Sequence, residues 1–222
     1  MNDKMKVAEY VADQVTEGMV IGLGTGSTAD CFIEALAQRY QQGLDIKTVS
    51  SSVVSTIKAQ ESGLPMVAME HLSRLDWYVD GADEVAPGNV LLKGQGADLV
   101  REKILAKACQ QFIVLVDQSK LVTRIGERFA IPVEVVPFAW QMVRQQLELA
   151  GAKVQLRSNK QGNGLAISSH GSLILDVTFA DGSSADEINQ QLNALPGVVE
   201  HGVFLGLADR VLLVKDGAVQ AL

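Results

Sequence analysis

Short apolar runs alternate with amphipathic stretches from residue 3 to residue 121. The short runs predict strands, and the stretches whose apolar residues recur every three or four positions predict helices. The predicted strands are 19–21, 46–49, 65–68, 75–79, 90–92 and 112–116, and the predicted helices are 3–16, 28–42, 53–62 and 97–109. In the last of these helices we expect Val100, Ile104 and Ala108 to form the buried face. This alternation is typical of an α/β protein with a parallel sheet.

The pattern changes after residue 130. Residues 131–205 predict the order strand, helix, strand, strand, helix, strand. That order, βαββαβ, is the ferredoxin-like α+β arrangement. The tail contains two short apolar runs, too small for a core of their own, which we expect to rejoin the first sheet. The predicted domains are therefore 1–130 plus 206–222, and 131–205.

A glycine-rich turn, Gly22-Leu-Gly-Thr-Gly-Ser-Thr28, follows the first predicted strand and opens a helix. Such a turn offers backbone N–H groups and a positive helix end to an anion. It lacks the third glycine of the dinucleotide fingerprint, because Ser27 stands there, and no acidic residue ends the second strand. Its hydroxyl groups suit a single phosphate. The competing interpretation is a tight turn with capping hydroxyls and no ligand.

A second polar segment, residues 80–103, follows the strand at 75–79. It contains four candidate groups for chemistry, Asp80, Asp83, Lys93 and Glu102, together with several glycines. Ligands of open α/β sheets bind at the carboxyl ends of the strands, where this segment begins. Acids and an amine that converge there indicate proton transfer on a small polar molecule. The alternative is a solvated loop followed by a surface helix.

Composition narrows the class of protein. The chain has 222 residues and a net charge of −7, which argues against a general nucleic-acid surface. It has no apolar run of membrane-spanning length and no signal-peptide core at its start, so we expect no membrane partner and a cytoplasmic location. Cys31 and Cys109 are not spaced as metal ligands, and we expect them to be reduced and structural.

Seven segments together carry a family resemblance, although each alone is a weak signal. They are 22–28, Ser50-Ser-Ser52, Asp80-Gly-Ala-Asp-Glu84, Lys93-Gly-Gln-Gly-Ala97, Arg101-Glu-Lys103, Asp117-Gln-Ser-Lys120 and Pro132-Val-Glu-Val-Val-Pro137. In this order and spacing the chain resembles type A ribose-5-phosphate isomerases over nearly its whole length. The resemblance implies a Rossmann-like parallel sheet with an inserted α+β domain, and an aldose–ketose isomerase without metal or organic cofactor. It also implies a homodimer or a dimer of dimers.

The resemblance also implies roles for individual residues. Glu102 would be the base that moves the proton, Lys93 would stabilise the enediolate, and Asp80 and Asp83 would bind hydroxyls and help to open the sugar ring. The implied substrate-binding residues are Thr25, Gly26, Ser27, Thr28, Gly81, Ala82, Gly94, Gln95, Gly96 and Lys120. Lys6 is a further candidate for the phosphate, and Arg101 and Lys103 would be structural partners.

Two positions depart from the family pattern. Gln95 replaces the middle glycine of the usual turn, and Asp98 stands where a small apolar residue is common. We expect Gln95 to have an ordinary backbone, with Gly94 and Gly96 taking any unusual dihedral angles, and Asp98 to cap the helix that carries Glu102.

Two other functions remain open at the level of the sequence. A sugar-phosphate sensor, or a relative with shifted sugar-phosphate specificity, would keep the phosphate turn. An acyl or CoA transferase on a similar sheet would need a covalent glutamate and a CoA site, which the sequence does not indicate.

Overall fold

The computed structural model describes residues 3–222, which form two compact units. Unit 1 comprises residues 3–82, 101–121 and 207–222, and unit 2 comprises 83–100 and 122–206. The first predicted domain, 1–130, therefore includes two segments that the structure groups with unit 2. The physical reason for the first segment is a small sheet that residues 84–92 form with residues 203–204.

The elements follow the predicted alternation closely. The helices are α1 Asp3–Ala12, α2 Ser27–Gln41, α3 Val53–Glu61, α4 Leu99–Ala108, α5 Trp140–Leu149 and α6 Ala185–Ala194. The strands are β1 Val20–Leu23, β2 Lys47–Ser50, β3 Leu75–Asp80, β4 Glu84–Ala86, β5 Val90–Leu92, β6 Cys109–Val116, β7 Ile131–Val135, β8 Lys153–Leu156, β9 Leu173–Thr178, β10 Val198–His201, β11 Val203–Phe204, β12 Arg210–Lys215 and β13 Ala218–Ala221. Within residues 3–222, every helix is too short or too polar to cross a membrane.

Unit 1 is built on a six-stranded sheet in the order β13-β12-β6-β3-β1-β2. Its neighbours pair in parallel except β12 and β13, so the α/β class with a parallel central sheet is confirmed, as is the return of the tail. The strand predicted at 65–68 is wrong. Only a single bridge, Thr48 to Met66, forms there, and Pro65 has no N–H for a ladder.

Unit 2 contains a four-stranded sheet in the order β10-β7-β9-β8, in which all neighbours are antiparallel. Along the chain, β7, α5, β8, β9, α6 and β10 follow the order βαββαβ. Both helices contribute inward-facing apolar residues to the core of this unit. They are Val143 and Leu147 in α5 and Ile188 and Leu192 in α6.

The sequence analysis treated the strand that leads to Lys93 as part of the parallel sheet. The structure places it elsewhere. β5 lies in a three-stranded sheet, β11-β5-β4, and pairs antiparallel with both neighbours. Gly88 and Asn89 have φ angles of 78° and 58°, which turn β4 back onto β5 as a hairpin. The convergence of parallel strand ends therefore does not explain the position of Lys93.

Helix α4 buries a different face from the predicted one. Leu99, Glu102, Lys103 and Ala106 are buried, at the spacing of one helical face, whereas Ile104 is 47% exposed. The prediction failed because it chose the buried face from the spacing of three apolar residues alone. The structure instead places a glutamate and a lysine inside, which marks this face for a role other than apolar packing.

We predict that Gly202→Ala destabilises the protein by about 1–3 kcal/mol, the usual cost of overpacking. Gly202 separates β10 from β11, its N–H donates to the Pro132 carbonyl at 2.8 Å, and its own carbonyl accepts from the Lys93 N–H at 2.9 Å. An added Cβ would lie 2.3 Å from the Lys93 carbonyl oxygen and 2.8 Å from the Pro132 ring.

Urea denaturation measures this loss in the free energy of unfolding. Gly164→Ala is the matched control, because its Cβ would meet only the movable end of the Asn159 side chain, at 3.2 Å. Equal losses in the two variants would contradict the prediction.

Candidate active site

The glycine-rich turn of unit 1 leads into the N-terminus of helix α2. Gly26 precedes helix α2 with a φ of 109°, a conformation that favours glycine. The N–H groups that follow belong to the first helical turn, where no carbonyl of the same helix reaches them. Ser27 is exposed and Thr28 half-buried at this end of the helix. The turn therefore places Gly26, Ser27 and Thr28 at the N-terminus of α2, the end of a helix that favours anions.

Thr25, which was expected to bind substrate, has its hydroxyl engaged by other residues of the protein. Its hydroxyl lies 2.7–3.1 Å from the hydroxyls of Ser51, Ser52 and Ser55. Ser55 in turn donates to the Gly24 carbonyl at 2.6 Å. Thr25 thus ties the turn to the triple serine after β2, and this explains a motif that the sequence analysis could only match by resemblance.

The structure selects Lys4 over Lys6 at this turn. Lys4 Nζ donates to Ser27 Oγ at 2.9 Å, whereas Lys6 Nζ donates to the Gly217 carbonyl at 3.1 Å. Residues two apart on a helix point in different directions, and sequence alone does not fix which one meets the turn. Lys4 is a contact of this turn that the sequence analysis missed.

Lys120 and Lys4 both act on the same carboxylate, that of Asp117. Partial burial acts to raise the pKa of Asp117, but hydrogen bonds from Ser119 and the charges of Lys4 and Lys120 hold that pKa below its usual value. One carboxylate thus senses both lysines, and one of them, Lys4, also contacts Ser27.

Asp80 ends strand β3 as a buried carboxylate, 1% exposed. Its Oδ1 accepts from the N–H groups of Gly81 at 2.7 Å and Thr25 at 3.0 Å, and its Oδ2 accepts from the Tyr78 hydroxyl. A Cβ on Gly24 would lie 2.1 Å from Asp80 Cγ, so the turn can approach the acid only with glycine there. Asp80 holds the backbone of the glycine-rich turn.

Glu102 is 4% exposed in the first turn of helix α4. Beside it in the chain, Arg101 Nη2 donates to the Ser50 carbonyl at 3.0 Å, as expected of a structural partner. Burial, followed by the charges of Asp80 and Glu102, raises the pKa of Tyr78 well above its usual value. Glu102 therefore lies within electrostatic range of the tyrosine that contacts Asp80.

In unit 2, Asp83 and Lys93 frame the second glycine-rich turn. The Asp83 N–H donates to the Leu92 carbonyl at 2.8 Å, and Asp83 Oδ2 accepts from the Gln95 N–H at 3.2 Å. Lys93 is 4% exposed, with Nζ 5.7 Å from the centroid of the Phe204 ring. A cation over an aromatic face is stabilised while it remains charged.

The backbone of this turn confirms the expectation for Gln95. Gly94 has a φ of 101°, and a Cβ there would lie 2.0 Å from Leu99 Cδ2, so glycine is required. Gln95 is exposed and is not among the residues with positive φ. Gly96 also avoids that region, and the strain falls on Ala97, whose φ is 65°. Asp98, expected to cap α4, accepts a hydrogen bond from Ser169 Oγ.

Arg157 is a second residue that the sequence analysis missed. Its Nη1 donates to the carbonyls of Gly94 at 3.0 Å and Gln95 at 3.3 Å. Its Nε and Nη2 bind both oxygens of Asp176 at 2.5–3.1 Å. This paired contact fixes the guanidinium, which in turn holds the outer side of the lysine turn. A lone arginine after a strand carries no sequence signal for that role.

Glu84, the last acid of the Asp80–Glu84 motif, anchors a loop. It is fully buried, and its two oxygens accept from the N–H groups of Gly126, Arg128 and Phe129 at 2.6–2.9 Å. Three donors satisfy a carboxylate that would otherwise be costly to bury.

The predicted site residues fall into two groups. Unit 1 holds Thr25, Gly26, Ser27, Thr28, Asp80, Gly81, Ala82, Glu102 and Lys120, and unit 2 holds Asp83, Lys93, Gly94, Gln95 and Gly96. Across residues 3–222, no cluster of three or more His, Cys, Asp or Glu side chains is arranged to hold a metal ion. The first group offers an anion-binding turn and a buried carboxylate, and the second offers a buried amine.

Comparisons with known proteins show which family this chain resembles. The family model described as ribose 5-phosphate isomerase A (phosphoriboisomerase A) matches residues 47–217. Ribose-5-phosphate isomerase A of Thermosynechococcus vestitus is 41% identical over 98% of this chain and 94% of its own length.

Two solved structures agree with this similarity. Ribose 5-phosphate isomerase A of Methanocaldococcus jannaschii superposes with a TM-score of 0.92 at 38% identity, covering 99% of this chain and 97% of that one. A D-ribose-5-phosphate isomerase in complex with phospho-erythronic acid gives a TM-score of 0.94 at 36% identity, covering 100% and 99%. This chain belongs to the ribose 5-phosphate isomerase A family.

Proposed function

We propose that this protein interconverts D-ribose 5-phosphate and D-ribulose 5-phosphate. The observation that carries the proposal is a nearly buried carboxylate, Glu102, in the same unit as a glycine-rich turn at a helix N-terminus that Lys4 contacts. Isomerisation of a sugar phosphate needs a base for the carbon-bound proton and a holder for the phosphate. One solved relative is a complex with phospho-erythronic acid, a ligand whose name indicates both a phosphate and a carboxylate.

Glu102 is the proposed base. In the open-chain aldose it removes the proton from C2, and the electron pair moves to form an enediolate across C1 and C2. The same carboxyl group then returns the proton to C1, while the hydroxyl proton on O2 is transferred to O1, which gives the ketose. One group suffices because the two carbons are adjacent, and no oxidant or reductant is consumed. Positioned proton transfer of this kind contributes about 10²–10⁴-fold to the rate.

Lys93 is the proposed partner of the negative oxygen that develops in the enediolate. A preorganised cation acts most strongly where water is excluded, and Lys93 is 4% exposed. We assign ring opening to Asp83, which is half-buried, in preference to Asp80. Both Asp80 oxygens already accept hydrogen bonds from the protein, so we assign Asp80 to the shape of the turn.

The phosphate is proposed to bind at the N-terminus of α2, through the N–H groups of Gly26, Ser27 and Thr28 and the charges of Lys4 and Lys120. Two observations support Lys4: its hydrogen bond to Ser27 and its effect on the pKa of Asp117. Gly81, Ala82, Gly94, Gln95 and Gly96 are proposed to contribute backbone groups around the sugar.

We further propose a homodimer or a dimer of dimers in the cytoplasm, where sugar phosphates are metabolised. One exposed stripe on and before helix α5 supports self-association: Phe138, Met142 and Leu149 are 89%, 72% and 76% exposed. Light scattering measures the molecular mass in solution.

The first experiment is conversion itself. We predict that purified protein converts ribose 5-phosphate to ketose, and that Glu102→Gln lowers kcat by about 10²–10⁴-fold, because an amide cannot accept the proton. Binding of inorganic phosphate to the variant should be unchanged.

Glu61→Gln is the control for this variant, since Glu61 is an exposed helical glutamate. A Glu102→Gln protein with near-normal kcat would remove Glu102 from the mechanism.

Lys4→Ala is expected to raise KM about tenfold or more with a smaller effect on kcat, because a charged hydrogen bond contributes roughly 1.5–3 kcal/mol. Lys120→Ala should act in the same direction. Lys6→Ala is the control on the same helix, and its KM should stay at the wild-type value. If Lys6→Ala raised KM and Lys4→Ala did not, the assignment from the structure would be reversed.

Gln95→Gly is expected to change kcat/KM by less than about tenfold. It should also lower the free energy of unfolding by about 0.4–1 kcal/mol, because glycine adds freedom to the unfolded chain at a position that does not need it. Ala97→Gly should show no such loss, since Ala97 has the positive φ. Kinetics and urea denaturation of both variants check the contrast. A large gain in kcat/KM for Gln95→Gly would indicate a weakened or repurposed member of the family.

A further inference from the structure

Tyr78 is a buried polar group that the proposed reaction does not use. It lies in the middle of strand β3 and is fully buried. Its ring stacks on Phe112 of the neighbouring strand, with centroids 4.9 Å apart and planes 18° from parallel. On the other side it covers β1 at Gly22, where an added Cβ would lie 2.8 Å from the ring. The ring is therefore held between two strands.

The hydroxyl at the end of this ring reaches Asp80. Residues two apart on a strand point to the same face, which places Tyr78 and Asp80 side by side. The tyrosine donates to Oδ2, while Oδ1 accepts from the N–H groups of Thr25 and Gly81. One carboxylate thus joins a fixed tyrosine to the backbone of the phosphate turn.

Packing alone does not explain the hydroxyl. A phenylalanine would fill the same space between Gly22 and Phe112 without burying a polar atom, which is unfavourable unless the atom is hydrogen-bonded. A tyrosine hydroxyl is protonated at neutral pH even before burial raises its pKa further, so the group acts as a donor. Its acceptor is the acid on which the turn depends.

We propose that Tyr78 is a positioning residue for phosphate binding. It fixes the Asp80 carboxylate, and Asp80 holds the Thr25 N–H so that the turn presents the amides of Gly26 and Ser27 in a binding arrangement. This inference rests on the proposed function in that it takes the turn to be the phosphate site. It adds a dependence of phosphate affinity on a hydroxyl that the substrate does not touch.

The test is Tyr78→Phe, which keeps the ring and removes the hydroxyl. We expect KM for ribose 5-phosphate and the inhibition constant of inorganic phosphate to rise together, about five- to tenfold, while kcat changes less than threefold. Amide hydrogen exchange at Thr25 and Gly81 should become faster. That exchange and phosphate binding are measured without turnover, so they test Tyr78 even if the wild-type protein proves inactive on ribose 5-phosphate.

Phe112→Leu is the matched control, because it removes the stacked ring and leaves the hydroxyl. It should lower Tm without raising either constant when assays are run well below Tm. Unchanged KM and phosphate inhibition in Tyr78→Phe would overturn the inference, as would an equal rise in Phe112→Leu. A Tyr78→Phe protein that does not fold would also overturn it, since the hydroxyl would then serve the fold and not the turn.

Discussion

Carboxylates that accept backbone N–H groups are the constraint on which the loops of this protein depend. Asp80 holds Thr25 and Gly81, and Glu84 holds three amides of the segment that precedes β7. A charged acid inside a protein is costly unless such donors surround it. Each acid therefore requires its loop to adopt one conformation, and each loop requires its acid. The short segment from Asp80 to Glu84 therefore fixes the backbone of two loops, in addition to any role in chemistry.

The sequence predicted the alternation of helices and strands because the apolar periodicity is set by burial on one face. It also placed the acids and glycines at strand ends. It could not distinguish an acid that acts on a ligand from one that accepts N–H groups, because both occur as Asp in a turn. Helix α4 shows a related limit, because the face predicted to be buried, with Ile104, is not the one that buries Glu102 and Lys103.

Rotations and distant pairings were the other limit. Which of Lys4 and Lys6 meets Ser27 depends on how α1 is turned, and no local pattern records that angle. Likewise, Arg157 contacts the Gly94–Gln95 backbone across a long stretch of chain. The resemblance to a family supplied roles for many residues. It left out Lys4 and Arg157, whose contacts are visible only in the folded structure.

The order of strands in unit 1 has a consequence for how the chain is made. β12 pairs with β6, and β13 closes the edge, so the six-stranded sheet needs residues 210–221. The four-stranded sheet of unit 2 uses residues 131–201, which a ribosome releases earlier. During synthesis the apolar edge of β6 must therefore stay unpaired until residues 210–215 have left the ribosome. An unpaired edge of this kind can pair with other chains, so the interval before β12 emerges is when this chain is most exposed to aggregation.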